Sequence, residues 1–214
     1  VTAANASDVS NKGPSAQIVL PGSWWTIPIT DEDASKRAIH ALANKVTNKM
    51  DDFARLRADL RRQLTELTDT AREGGAGELY LALEIVPGMP IPMSIAVFWP
   101  DLNVLGSTPS DSSTVIELVR IALQSASDAG EYTDEEVATL GASATFRRCK
   151  TITHEADGDV PEYSTLVVDY WVAVPGTQHV ALLSFSTNFP HERELMIELF
   201  KTIVESLRWA PAPE

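Results

Sequence analysis

The chain has 214 residues, 44% of them apolar, enough to bury a sizeable core and too many for a chain disordered throughout. Its 17 basic and 30 acidic side chains leave a formal net charge of -13, with residues 1–107 at -3 and residues 108–214 at -10. A surface of that sign repels phosphate backbones and anionic lipid, which excludes general nucleic-acid binding and disfavours adsorption to membranes.

Val1 to Ala16 is small, polar and aperiodic, and reads as a disordered tail. It lacks the basic start and apolar centre of a signal peptide, so the expected compartment is the cytoplasm; a leader removed ahead of Val1 is the alternative. Residues 17–210 read as one domain and residues 211–214 as a short second tail. Gln17 to Leu20 and Trp24 to Ile29 are extended segments parted by Pro21-Gly22. Asp31 or Asp33 caps a helix whose apolar stripe is Ile39, Leu42, Ala43 and Val46. After a break at Thr47-Asn48-Lys49, Asp51-Asp52 caps a second helix over residues 52–73. Its stripe runs Phe53, Leu56, Leu60, Leu64, Leu67, Ala71, and Gly74-Gly75 ends it. The opposite face carries Arg55, Arg57, Asp59, Arg61, Arg62, Glu66, Asp69 and Arg72, as expected of a helix lying on a sheet.

Glu78 to Val86 and Met93 to Trp99 read as strands around a stiff turn at Pro87–Pro92. Ser112 or Ser113 opens a third helix with Val115, Ile116, Val119 and Leu123 inward. Asp128 to Glu136 reads as an acidic loop. Val137 to Leu140 and Ser143 to His154 are further strands around Gly141, with a turn at Asp157-Gly158-Asp159. Ser164, Leu166, Val168, Tyr170, Val172 and Val174 then alternate along one strand, and Ala181, Leu183, Phe185 and Thr187 along the next. Leu195, Met196, Leu199, Phe200, Ile203, Val204 and Leu207 switch to helical spacing. A change of period from 2 to 3.6 marks a hairpin covered by a helix. Val167, Trp171 and Ala173 oppose the first alternating set, so that strand is apolar on both sides and covered on both. The fold class that follows is α+β: a single-domain α/β/α sandwich, its mostly antiparallel sheet of about seven strands carrying helices on both faces.

Few residues promise chemistry. Gly141-Ala142-Ser143-Ala144 has Thr145 where a nucleophile elbow needs a second glycine, and strand on both sides. Cys149, the only cysteine, stands among Arg147, Arg148 and Lys150, a positive field that favours a thiolate. Alternation leaves only Arg147 on its face, and a small packed residue is the plain reading. His40, His154, His179 and His191 form no metal-ligand spacing, and Gly74-Gly75-Ala76-Gly77 follows a helix where a phosphate cradle must precede one. Glu84 and Asp169 each interrupt an apolar strand; both are expected at a strand edge or sheet rim, reaching water. No catalytic, cofactor-binding or metal-binding residue is therefore assigned. Trp24, Trp25, Trp99, Arg55 and Arg62 remain as a candidate interaction surface, because tryptophan and arginine are enriched where proteins meet.

Tyr170–Gly176, Ala181–Thr187 and Leu199–Trp209 set out strand, Pro-Gly turn, strand, closing helix and Trp in that order. With Pro21-Gly22-Ser23-Trp24-Trp25 and Glu78-Leu79-Tyr80-Leu81, this pattern resembles a set of uncharacterised actinobacterial proteins, some of them associated with type VII secretion neighbourhoods. The ending also resembles the PsbP-like superfamily of α/β/α sandwiches. The resemblance implies a noncatalytic adaptor, chaperone or assembly domain that binds a protein partner or itself, and it brings no catalytic residue with it. The alternative function is a small-molecule-binding domain or enzyme with a site at the sheet edge near Trp24, Trp99 and the Pro87–Pro92 loop.

Overall fold

The computed structural model describes residues 5–9, 16–47, 53–85, 92–100, 111–126, 129–156 and 161–209. The expected caps at Asp51-Asp52, most of the Pro87–Pro92 turn, the turn at Asp157-Gly158-Asp159 and residues 211–214 lie outside them. The elements in chain order are β1 (Asn5–Val9), β2 (Ala16–Leu20), β3 (Ser23–Pro28), α1 (Glu32–Val46), α2 (Ala54–Glu73), β4 (Ala76–Glu84), β5 (Met93–Phe98), α3 (Ser112–Gln124), β6 (Asp134–Leu140), β7 (Ser143–His154), β8 (Tyr163–Ala173), β9 (Val180–Thr187), α4 (Arg193–Glu205) and β10 (Arg208–Trp209).

Seven strands form one sheet in the order β3-β4-β5-β9-β8-β7-β6, every neighbouring pair antiparallel. Two meanders are thus joined edge to edge, β3-β4-β5 to β9-β8-β7-β6, with α3 on the connection between them. One face carries α1 and α2 over β3 and β4, and α3 over β7 and β8. The other face carries α4 together with a small sheet of order β1-β2-β10. This is the α/β/α sandwich of the α+β class that the periodicities imply, with helices on both faces.

Each period predicts its own layer. Leu79 and Leu81 point to α1 and α2, whereas Tyr80 and Ala82 point to the α4 side. Trp171 and Ala173 lie under α3, and Tyr170 and Val172 under α4. The ring of Phe200 stacks on Phe185 at 4.6 Å between centroids, and Phe185 meets Tyr170 edge-on at 5.8 Å. Helix starts follow local hydrogen bonding: the Asp31 carboxylate accepts from the Ala34 amide, and Asp111 from the Thr114 amide. Asp111 is therefore the cap of α3, which opens at Ser112.

Two expectations are corrected. Asn5–Val9, within the stretch read as a disordered tail, is a strand paired with Ala16–Leu20. Its ordering partner is β2, which also pairs with β10 near the far end of the chain, so no local pattern announces it. Asp134, Glu135 and Glu136, read as the end of an acidic loop, are the first residues of β6, opposite Cys149, Arg148 and Arg147. Cross-strand pairing with arginine outweighs the low strand propensity of acids.

Phe200 is fully buried in the core between sheet and α4. Phe200→Ala is expected to cost about 3–5 kcal/mol, measured by urea unfolding. A loss below about 1 kcal/mol would show that α4 does not roof the sheet.

Candidate functional site

The tryptophans are positioned by the strand registers. In β3 the side chains alternate, so Trp24 packs against the α4-side core and Trp25 lies beneath α1. The Trp24 indole N–H donates to the Pro21 carbonyl at 2.7 Å, and that of Trp25 to the Ala38 carbonyl at 3.2 Å. Lys45 stands 5.4 Å above the Trp25 ring. Trp99 meets Trp209 edge-on at 6.1 Å, and Trp209 donates to the Ser143 hydroxyl at 2.8 Å.

Trp24 lies opposite Ala82, and Leu81 opposite Ser94, so Trp24 sits toward the Met93 end of β5. Trp99 follows Phe98, which lies opposite Ala76 at the other end. Five residues of extended chain separate these ends by roughly 17 Å. The structure does not bring Trp24 and Trp99 into one sheet-edge site; Pro92, the described residue of the Pro87–Pro92 turn, lies at the Trp24 end.

Arg55 and Arg62 are exposed on α2. Arg62 reaches Asp59 at 3.7 Å and Glu66 at 3.6 Å on its own helix. Their neighbours turn the other way: Arg57 donates to the Thr47 hydroxyl at 3.0 Å and Arg61 to the Asn44 side chain at 2.9 Å, tying α2 to the end of α1. Between this helix pair and the sheet lies an open cavity of about 350 Å³. Leu42 and Val46 of α1, Leu60 and Leu64 of α2, and Leu81 and Leu83 of β4 supply its apolar lining. Its floor is polar on one side, where the Ser94 and Ser186 hydroxyls are hydrogen-bonded at 2.7 Å. Sequence reasoning missed this cavity. Its trace is the run of hydroxyls at Ser94, Ser184 and Ser186, on the helix-facing positions of two otherwise apolar central strands.

The ionisable residues in the sheet are engaged in its structure. Glu84 is exposed, as expected at a strand end. Asp169 is not: it is 5% exposed, a correction to its placement at a rim. Its carboxylate accepts from the Ser184 hydroxyl at 2.7 Å and the Tyr132 hydroxyl at 3.0 Å, and pairs with Arg148 at 3.6 Å. Arg148 also lies 3.7 Å over the Tyr132 ring. On the α4 side, Arg147 bridges Asp134 and Glu136, each at 2.9 Å, and Arg193 reaches Asp134 at 3.1 Å. Arg147 also donates to the Cys149 sulfur at 3.0 Å, the same-face contact that alternation requires.

Burial pushes the Cys149 thiol above its ordinary pKa of 9.0; the Arg147 charge acts the other way and is outweighed. The thiol is fully buried and protonated at neutral pH, so it is not the activated nucleophile that its basic neighbours suggest. His154 stacks on Tyr163 at 4.4 Å and hydrogen-bonds Thr165, with no role beside Cys149. Among the described residues no group of three or more His, Cys, Asp or Glu side chains could hold a metal ion.

No family model matches the chain, and no curated protein does. Among solved structures the chain is similar to LpqN, involved in cell envelope biogenesis of Mycobacterium tuberculosis, with a TM-score of 0.46 and 12% identity over 97% of this chain and 91% of that one. It is also similar to cyanobacterial PsbP (CyanoP) from Synechocystis sp. PCC 6803, with a TM-score of 0.45 and 13% identity over 98% and 95%. No residue role passes from either protein to this chain.

Three outcomes check these assignments. Asp169→Ala removes a buried carboxylate that Ser184, Tyr132 and Arg148 all engage and is expected to cost about 3–5 kcal/mol in urea unfolding. Cys149 should resist alkylation at pH 8 in the native protein and react once the chain is unfolded; fast native labelling would contradict its burial. The Arg147 hydrogen bond holds the Asp134 carboxyl below its ordinary 3.8. A depressed carboxyl stabilises the fold above its unfolded value and loses that contribution as pH falls through the folded one. Asp134→Asn should therefore be less stable than the parent by a constant offset near neutrality, and the gap should close as pH falls through the folded value, read by urea unfolding across a pH series.

Proposed function

We propose that residues 17–210 act as a noncatalytic protein-interaction domain of adaptor or assembly type. One observation carries the reading: exposed apolar side chains gather on the α1–α2 pair. Val46, which lines the cavity, is 55% exposed, and Leu56, one turn ahead of the cavity-lining Leu60, is 53% exposed, with Phe53 exposed near it in sequence. Arg55 and Arg62 are exposed on the same helix, α2. Apolar anchors rimmed by arginine are the composition of a recognition surface. The buried charges around Asp169 and Arg147 are meanwhile paired within the fold, and the buried thiol is protonated.

The compartment in this reading is the cytoplasm, with the cell envelope as the alternative; no described helix is long and apolar enough to cross a membrane. The association with type VII secretion implied by the motif order is the finest form of the proposal. Fractionation of the native cells and the identity of adjacent genes test these two points.

The cavity supports a second reading, a small-molecule-binding domain. A volume of about 350 Å³ with an apolar lining and a few hydroxyls on one side suits a small apolar ligand with one polar end. This moves the alternative site from the sheet edge to the space beneath α1 and α2.

Leu56→Glu should leave the circular dichroism spectrum and melting temperature unchanged and weaken a purified partner roughly tenfold or more, read by calorimetry. A chain that stays monomeric, holds no partner and turns over a substrate would end the interaction reading. Ser94→Phe, which fills the cavity, should abolish binding of an apolar fluorescent probe if the second reading is right and leave it unchanged if the probe sits elsewhere.

A further inference from the structure

The two edges of the seven-stranded sheet are built differently. β6 presents Asp134, Glu135 and Glu136 in succession, and the first and third are held by Arg147. Charges along an edge are a device against strand addition, because a second strand would lie like charge against like. β3, the opposite edge, reads Ser-Trp-Trp-Thr-Ile-Pro and contains no charged residue. It pairs with β4 on one side only; among the described residues no strand lies on its other side. In such a strand alternate residues turn their N–H and C=O groups away from the neighbour, where they need water or another strand. Pro28 and the register shift at Ser23/Trp24 limit the open ladder to Trp24–Ile27.

We propose that this edge pairs antiparallel with β3 of a second copy of the chain, about a two-fold axis, so that two sheets become one. The proposal rests on the protein-interaction reading and names a partner and a surface for it. The occupant follows from charge. β6 paired with its own copy would set three acids against three acids, whereas β3 paired with its own copy sets none against none. The helix brought alongside at such a dyad is α1, whose exposed residues include Glu32 and Asp33 together with Lys36 and Arg37. A surface of mixed sign meets its own copy without a single-sign field between them. Trp24 and Trp25, half-buried on opposite sides of the strand, then have a ring from each copy to cover the joint on both faces. An isologous pairing of this kind satisfies both open edges at once and closes, leaving no growing end.

The test uses the full chain. Sedimentation velocity across a concentration series should show a dimer, and amide exchange should slow at Trp24–Ile27 as the dimer forms. Thr26→Lys puts a charge on an exposed edge position facing its copy and should raise the dimer dissociation constant roughly tenfold or more. Val137→Lys, on the exposed face of β6, should leave it unchanged. A protein that is monomeric at every concentration overturns the pairing, as does a dimer that Thr26→Lys leaves intact or whose Trp24–Ile27 amides gain no protection. The exchange arm needs no variant, so a substitution that unfolds the chain does not rescue the idea. A monomer that still binds a partner through Leu56 removes the strand pairing and keeps the interaction reading, which separates the two failures.

Discussion

The antiparallel seam between β5 and β9 is the contact on which the rest of the molecule depends. Met93 through Phe98 lie opposite Thr187 through Leu182, and this ladder joins two meanders that are otherwise separate hairpin stacks. It spans about ninety residues of sequence, so its loop-closure entropy is met only because both faces of the joint are covered. Ile95, Val97, Leu183 and Phe185 are buried against α4 on one side. On the other side the same strands present Ser94, Ser184 and Ser186. The cavity beneath α1 and α2 opens on that side.

That asymmetry links packing to function. A fully apolar seam would draw the helices of the upper face together over it. Hydroxyls at the seam hydrogen-bond one another, and that of Ser184 donates to Asp169. The helices sit in two groups, α1 with α2 over one meander and α3 over the other. The exposed Val46 and Leu56 stand on the first group, beside the space that results.

The buried charges serve the same architecture. Arg147 and Arg148 are neighbours in β7 and point to opposite faces. Each is nearly buried and each is met by a carboxylate on an adjacent strand. Pairs of this kind contribute little net stability relative to apolar residues, but they exclude registers in which one partner is left alone. A one-residue slip of β7 against β8 would leave Arg148 facing Val168 or Tyr170 and strip Asp169 of its Arg148 partner. The register of the sheet is thereby set by charge as well as by its apolar faces.

Local pattern was sufficient for the layers. The period-2 runs in β8 and β9 and the period-3.6 run in α4 report their own faces, because a side chain's face depends only on its place along the element. The same rule placed Arg147 beside Cys149 and set Trp24 and Trp25 on opposite sides of β3. What alternation cannot report is which element lies alongside and at which end. The small sheet joins Asn5–Val9, Ala16–Leu20 and Arg208–Trp209 across nearly the whole chain. Trp24 and Trp99 fall at opposite ends of the β4–β5 hairpin, a matter of register. Asp169 is buried because Tyr132, Arg148 and Ser184 arrive from three other segments to receive it. Sequence by itself determined the helices, most strands of the main sheet, their faces and the sandwich; tertiary structure alone decided the small sheet and the partners, since pairing over long separations is selected by burial and charge of the whole sheet and leaves no mark in any one window of residues.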